Sequence, residues 1–409
     1  MKCLPKTPTP AGQTENRRSD ILRDRMSENP AAVPVPLLDL KKQYQTIRDE
    51  VRPALDAVCD SQGFILGPGV EAFEKAVAAY VGVRHAVGMS SGTDAQLAAM
   101  MAEGVGPGDD VVTSPYSFFA SAGAIARLGA RAVFCDIDPE TFNLDPGKLE
   151  EAITPKTKLI QPVHLYGQCT DMAPLLSIAA EKGLPVVEDA CQSLGAAYQG
   201  KKAGSLGTYG AFSFFPSKNL GGFGDGGMVT TDDDALSATL RALRMHGETS
   251  RYHHRIVGGN FRLDALQAAV LNVKLPHLDG WAEQRRRNAA EIEALYLEFG
   301  GKPFAEGGLK FPREASGCFH VFNQFVVRIG KGRREEAKEF LAARKIGHAV
   351  YYPLPLHLQE CFAGWGGKEG DFPVAETAAR ETLALPVFPE LTDEQKRFLA
   401  FSLAQFSRG

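Results

Sequence analysis

The sequence has no Cys-x-x-Cys pair and no cluster of histidine with cysteine. Its seven cysteines, at positions 3, 59, 135, 169, 191, 318 and 361, are scattered. That argues against a disulfide framework or a metal site and fits a reducing cytoplasm. No apolar run approaches the ~18 residues needed to cross a bilayer. Neither charge sign is in excess: 45 Lys and Arg against 49 Asp and Glu give a net charge of −4. This excludes a broad nucleic-acid or anionic-membrane surface. The chain also lacks an internal repeat and, at its start, the hydrophobic stretch of a signal peptide. What is present, 409 residues of which 44% are hydrophobic and 23% charged, suits a soluble protein of two domains.

Residues 1–34 are rich in Pro, Thr, Arg and Asn without apolar periodicity, and are expected to be a disordered extension. Met26 is an alternative start. From Val35 the chain alternates. Helical patterns cover about 40–59 and 69–81, and the strand-like runs "AVGMS", "DVVTSP", "RAVFCDI", "LIQPVHL" and "PVVEDA" are interleaved with helical ones. The alternation predicts an α/β fold with a mainly parallel sheet covered on both faces, in a large domain over 35–275. A long helical stretch is expected from about 264 to 298. Strand candidates "QFVVRI" and "AVYYP" and two further helices then predict a smaller α+β domain over 276–409.

In open parallel sheets, ligands bind at the carboxyl ends of the strands. "SSGTDA" (90–95) lies between a strand and a helix, where free N–H groups and the helix dipole favour a phosphate. Simple capping by Ser91 or Thr93 is the competing reading. "EDACQS" (188–193) ends an apolar strand on two carboxylates, or is an ordinary strand-end turn. Cys191 reads as a small packing residue, since no base is identifiable for it. "FSFFPSKNLGGFGDGG" (212–227) sets Lys218 between an aromatic strand and a glycine loop. The loop fits neither GxGxxG nor GxxxxGK[ST], because the lysine precedes the glycines. Lys218 alone could be an exposed loop lysine. The ordered set of a phosphate-type helix start, a strand-end carboxylate and a lysine instead points to a Schiff base with pyridoxal phosphate. There the carboxylate keeps the pyridine nitrogen protonated and the ring acts as electron sink.

Taken together, "GFILGPGVEAFEKAVAAYVG", "SSGTDA", "PVHLYGQCTDM", "VVEDACQSLGA", "FSFFPSKNLGGFGDGGMVTT", "GGNFRLDALQAA" and "YYPLPLHLQ" resemble, in order, the DegT–DnrJ–StrS sugar aminotransferases, fold type I pyridoxal-phosphate enzymes. The resemblance runs from about Pro36 to the C-terminus. It implies that Lys218 binds the cofactor covalently and that Asp189 pairs with the pyridinium nitrogen. Gln192 would meet the ring hydroxyl, and Gly92, Thr93, the Asp94 backbone and Ser213 would hold the phosphate. Phe118 would stack on the cofactor, although by sequence it could equally be core. His164 would lie near the cofactor, or be a buried structural histidine. Asn260 in "GGNFR" would reach the phosphate of the neighbouring subunit, its two glycines allowing the backbone close to a partner. The alternative is a glycine turn whose asparagine caps the helix beginning near Asp264.

The reaction implied is transfer of an amino group, with L-glutamate the expected donor, to a keto group of a nucleotide-linked sugar. The region 251–281 most resembles members that aminate C-3. A cytoplasmic homodimer with shared active sites, no metal, no nucleic acid and no membrane partner completes the expectation. Family dehydrases carry histidine in place of the lysine, so Lys218 argues against that branch. A non-catalytic pyridoxal-phosphate-binding regulator and a branch acting on a non-nucleotide cyclic ketone are the alternatives.

Overall fold

A computed structural model describes residues 29–409. Residues 1–28, with Met26 and most of the extension expected over 1–34, lie outside the described residues. The first long helix, α1 (Leu40–Ser61), starts at Asp39, whose carboxylate accepts from the amides of Lys41 and Lys42 at 3.1 Å. The next, α2 (Pro68–Val81), has proline in its first turn and ends at Gly82 with φ 86°, a left-handed stop that glycine adopts without strain.

Seven strands then build the central sheet: β1 (His85–Met89), β2 (Asp110–Thr113), β3 (Arg131–Phe134), β4 (Thr157–Gln161), β5 (Val187–Asp189), β6 (Tyr209–Ser213) and β7 (Gly227–Thr231). Hydrogen bonding gives the order β1-β7-β6-β5 on one side and β3-β2-β4 on the other. Parallel bridges Ile160 to Val186 and Val163 to Asp189 join the two parts. Only β7 runs against its neighbours among these strands. The reason lies in the connections. Helices α3 (Gly92–Ala102), α4 (Ala120–Arg127) and α5 (Met172–Lys182) follow β1, β2 and β4 and carry the chain back for parallel entry. The thirteen residues between β6 and β7 contain no helix, and the chain simply reverses. Strands β2 and β5 are buried along their whole length, as cover on both faces requires.

Helices α6 (Asp234–Arg244), α7 (Ala265–Lys274) and α8 (Leu278–Glu298) follow. The helical stretch expected over 264–298 is thus two helices, broken by a 3₁₀ turn at Leu275–His277 where Pro276 lacks an amide hydrogen. Glu74 of α2 accepts from the Gly88 amide (2.8 Å), Arg244 (2.5 Å) and Arg241 (2.9 Å), and so locks α2 and α6 to β1 just before the β1–α3 turn.

In the C-terminal part, β8 (Leu309–Lys310), β9 (Phe325–Ile329) and β10 (Thr382–Leu385) form an antiparallel sheet, with α9 (Arg334–Ala343), α10 (Pro373–Glu381) and α11 (Asp393–Arg408). The strand expected at "AVYYP" does not form. Ala349 makes one bridge to Ala384, after which the hydroxyls of Tyr116 (2.8 Å) and Tyr166 take the Tyr351 carbonyl away from any ladder. Val35 pairs with Ile346 and packs in the C-terminal core, whereas the residues from Val70 onward pack under the central sheet. Helix α8 serves both: Leu278 and Ala282 face the first core, Ile292 and Tyr296 the second. Among the described residues no helix is long and apolar enough to cross a membrane.

Candidate active site

Successive side chains on a strand point to opposite faces, so the two carboxylates ending β5 have separate environments. Glu188 points inward and is fully buried. It accepts from the amides of Gly204, Leu206 and Gly207, each at 2.7 Å, and its Oε2 lies 2.9 Å from His164 Nε2. Asp189, 4% exposed, points to a cavity of about 490 Å³. Its Oδ2 accepts from Ser121 Oγ (2.7 Å) and its Oδ1 from the Cys191 amide (3.2 Å). Ser121 in turn meets Ser117 at 2.9 Å. These contacts fix the carboxylate plane while leaving it on the cavity wall.

Lys218 enters the same cavity from the β6–β7 loop. The loop folds on itself through Lys218 N to Phe215 O (2.8 Å), Gly222 N to Phe214 O (2.7 Å) and Phe214 N to Gly226 O (2.8 Å). A Cβ on Gly221 would stand 2.2 Å from the Pro216 carbonyl, so the tight turn beneath the lysine requires glycine. Burial pushes the Lys218 ammonium down from its usual pKa; nearby Cys191 and Asp189 oppose that shift without cancelling it. The result is an amine more readily neutral, hence nucleophilic, than a surface lysine. Burial pushes the Cys191 thiol well up, which keeps it protonated and inert.

The third wall is the N-terminus of α3. Ser91 caps it, accepting from the Asp94 amide at 3.0 Å. Gly92 and Thr93 line the cavity together with Ser213 at the end of β6. A Cβ on Gly92 would come within 2.6 Å of Ser213 Cβ and 2.8 Å of Cys191 Sγ, so the helix start and strand end approach closely only through glycine. Free first-turn amides beside a serine hydroxyl form an anion cradle.

Gly92, Thr93, Phe118, Asp189, Gln192, Ser213 and Lys218 thus meet at one cavity. Phe118 is 54% exposed at its mouth, with its ring 6.1 Å from that of Tyr352. Gln192 receives the Tyr166 amide on Oε1 (2.8 Å) and donates Nε2 to the Tyr352 hydroxyl (3.0 Å). Three residues stand elsewhere. The Asp94 amide is taken up by Ser91, and its carboxylate accepts from Ser90 Oγ at 2.7 Å. His164 is fully buried, with Nε2 toward Glu188 and Nδ1 accepting from the Thr170 amide at 3.1 Å. Asn260 is exposed and does not line the cavity of its own chain. The glycines before it pack closely within the chain: Cβ atoms there would lie 2.4 Å from the Leu243 carbonyl and 2.3 Å from the Phe261 ring. Asn260 caps no helix either, since α7 begins after Asp264 with no side-chain cap. Tyr352, Tyr351, Gln324 and Ser117 also face the cavity. Sequence reasoning assigned them no role, although "YYPLPLHLQ" stood out as a motif.

The chain belongs to the DegT/DnrJ/EryC1/StrS aminotransferase family, whose profile it matches over residues 45–401. It is a pyridoxal-phosphate-dependent aminotransferase of that family, with the mixed α/β fold of the type I enzymes. It is 50% identical to a pleiotropic regulatory protein of Geobacillus stearothermophilus, over 91% of this chain and 99% of that protein. It is 42% identical to UDP-N-acetyl-3-dehydro-alpha-D-glucosamine 3-aminotransferase of Acidithiobacillus ferrooxidans, over 90% and 96% of the two chains. Its structure superposes with a TM-score of 0.87 on S. venezuelae DesV in complex with a ketimine intermediate, at 41% identity, covering 92% of this chain and 99% of that one.

The residues present fit the cofactor. A phosphate suits the cradle of Gly92, Thr93 and Ser213; an aldehyde needs an amine such as Lys218, and a pyridinium nitrogen a buried carboxylate such as Asp189. Because the cradle closes only around glycine, Gly92→Ala should force α3 and β6 apart. We expect the purified variant to fold but retain less than about a tenth of the wild-type cofactor affinity, a loss on the scale of one charge-assisted hydrogen bond. Titration of the apoprotein with pyridoxal phosphate, followed by visible absorbance, measures this; unchanged affinity would show that the close approach does not shape the site.

Proposed function

We propose that the protein transfers an amino group from L-glutamate to the C-3 keto group of a nucleotide-linked sugar, in the cytoplasm, as a homodimer. The observation that carries this reading is the convergence of a desolvated lysine, a buried strand-end carboxylate and a helix N-terminus on one cavity. The 3-aminotransferase named above supplies the substrate class by analogy, and a cavity of about 490 Å³ has room for a sugar beside a cofactor ring. We assign residues 35–275 to the cofactor domain, with Val35 itself docked into the core of a smaller domain, 276–409, whose Tyr351 and Tyr352 close the cavity.

Bound pyridoxal phosphate supplies an electron sink next to the carbon that loses and regains a proton. The protein's own groups do the rest. Asp189 holds a proton at the ring nitrogen, with its carboxylate oriented by Ser121 and the Cys191 amide. Gln192, fixed between the Tyr166 amide and Tyr352, orients the ring through its hydroxyl. Thr93 and Ser213 would hold the phosphate, Phe118 at the cavity mouth would offer its ring to the cofactor, and His164 would act only through Glu188, which it helps to fix. Lys218 Nζ would carry the cofactor and, as a free neutral amine, would move the proton, a role its lowered pKa supports. Asn260 serves the partner's phosphate site. Its exposure supports this, as does the neighbouring hairpin, which presents Tyr252 and Val257 at 78% and 87% exposure.

The regulatory name of the 50% identical relative favours a second reading, a binding protein without turnover. Donor chemistry separates the two. Glutamate should discharge the aldehyde absorbance and release one 2-oxoglutarate per site, and a 3-keto nucleotide sugar should restore it; no 2-oxoglutarate would refute glutamate as the donor, and an absorbance that no amino donor discharges would overturn the enzymatic reading. Subunit mixing tests the shared site. Lys218→Ala and Asn260→Asp, each nearly inactive alone, should together regain up to about half of wild-type activity per mixed dimer. No recovery from verified mixed dimers would place both residues in one chain's site.

A further inference from the structure

Arg285 is the buried cation of α8 that the reaction described so far does not use. It is 5% exposed, and Nη1 donates to the Phe322 carbonyl at 3.2 Å. Among the described residues no carboxylate pairs with it, whereas buried Arg244 is paired with Glu74. Charge nearby is mixed. Glu390 faces both Arg285 and Lys274, whose ammonium is taken by the Gly221 carbonyl at 2.5 Å. Glu390 has an unpartnered Oε2, and burial raises its pKa, which weakens it as a counter-ion. Asp39, also near Glu390, is spent on capping α1. A guanidinium held out of water without an anion of its own is costly unless a ligand provides one.

The side chain is not sealed in. It lines a recess of about 60 Å³ together with Asn323, Ser217, Gln324 and Tyr351. Ser217, Gln324 and Tyr351 also line the catalytic cavity, and Ser217 precedes Lys218. The recess and the catalytic cavity are therefore neighbours that share three wall residues. The recess is large enough for a carboxylate and too small for a sugar. Planar guanidinium donors match a carboxylate in two parallel hydrogen bonds, and Ser217 and Tyr351 are among the residues lining the same recess.

We propose that Arg285 binds a carboxylate of the amino donor, anchoring it in this recess while its amino group lies at Lys218. This rests on the donor assignment above, and it explains how one cavity serves two unlike substrates. The donor is gripped by its acid group on the α8 side, and the nucleotide sugar, which is not required to carry a carboxylate, enters by the mouth at Phe118. A sugar uronate shares the carboxylate chemistry, so the test must separate the two sources.

The holoenzyme is titrated calorimetrically with glutarate, a dicarboxylate that cannot react, and both half-reactions are followed by absorbance. Arg285→Met should weaken glutarate binding and lower kcat/KM for glutamate, each by at least about 10-fold, the scale of a hydrogen bond to a charged group. The half-reaction with a neutral 3-keto nucleotide sugar should stay within about twofold. Arg285→Lys should fall between wild type and Arg285→Met in both readouts, and decides the question if the methionine variant does not fold. Arg287→Gln, at an exposed position on the same helix, should match wild type. Glutarate that fails to bind the wild type, or binds both variants equally, overturns the proposal. So does a loss confined to a uronate acceptor. A wild type that binds glutarate but takes no amino group from glutamate refutes the donor assignment and leaves the carboxylate site standing.

Discussion

The active site depends on a carboxylate that never reaches it. Glu188, with no exposure to solvent, gathers three backbone amides from the 204–207 turn and one ring nitrogen from His164. Hydrogen bonds to a buried charge contribute about 1.5–3 kcal/mol each, and leaving such a charge unpartnered costs more than any one of them returns. The end of β5 is consequently fixed in register with the turn before β6 and with the segment after β4. Alternation along β5 then leaves Asp189 one direction to point, into the cavity, where Ser121 and the Cys191 amide hold its two oxygens.

The far wall is built by the C-terminal part of the chain. Tyr116 and Tyr166, which follow β2 and β4, turn their hydroxyls to the Tyr351 carbonyl, and Tyr116 also meets Thr382 at 2.7 Å. Gln192 donates to Tyr352. These bonds couple the cavity to β10, while α8 packs into both hydrophobic cores. The cavity is thus closed by polar contacts over a long sequence separation, on a base fixed by local alternation of strand and helix.

How much of this the sequence disclosed follows that division. Strands β1 to β5 and the helices between them were legible because each is a local pattern with a turn at its end. Asp189 and Lys218 were legible because a carboxylate and a lysine at strand ends have few competing explanations once a phosphate-type helix start is nearby. The C-terminal tyrosines were not. "AVYYP" carries a strand's composition, and only the hydroxyls of Tyr116 and Tyr166, more than 180 residues away, pull its backbone out of a ladder. In "GGNFR" tertiary packing gives the glycines a reason the sequence did not disclose: Gly258 lies against the Leu243 carbonyl and Gly259 against the Phe261 ring. Arg285 sits in an arginine-rich helical run that reads as a solvated face, and only tertiary packing distinguishes it from exposed Arg287.

The central claim is that Lys218, desolvated and facing Asp189, is the residue that carries the cofactor. Reduction of the purified yellow protein with borohydride makes that linkage permanent, and peptide mass mapping locates it. The account predicts one pyridoxyl group per chain, on Lys218. A label on another lysine, or a protein that is reduced without becoming labelled, would contradict it.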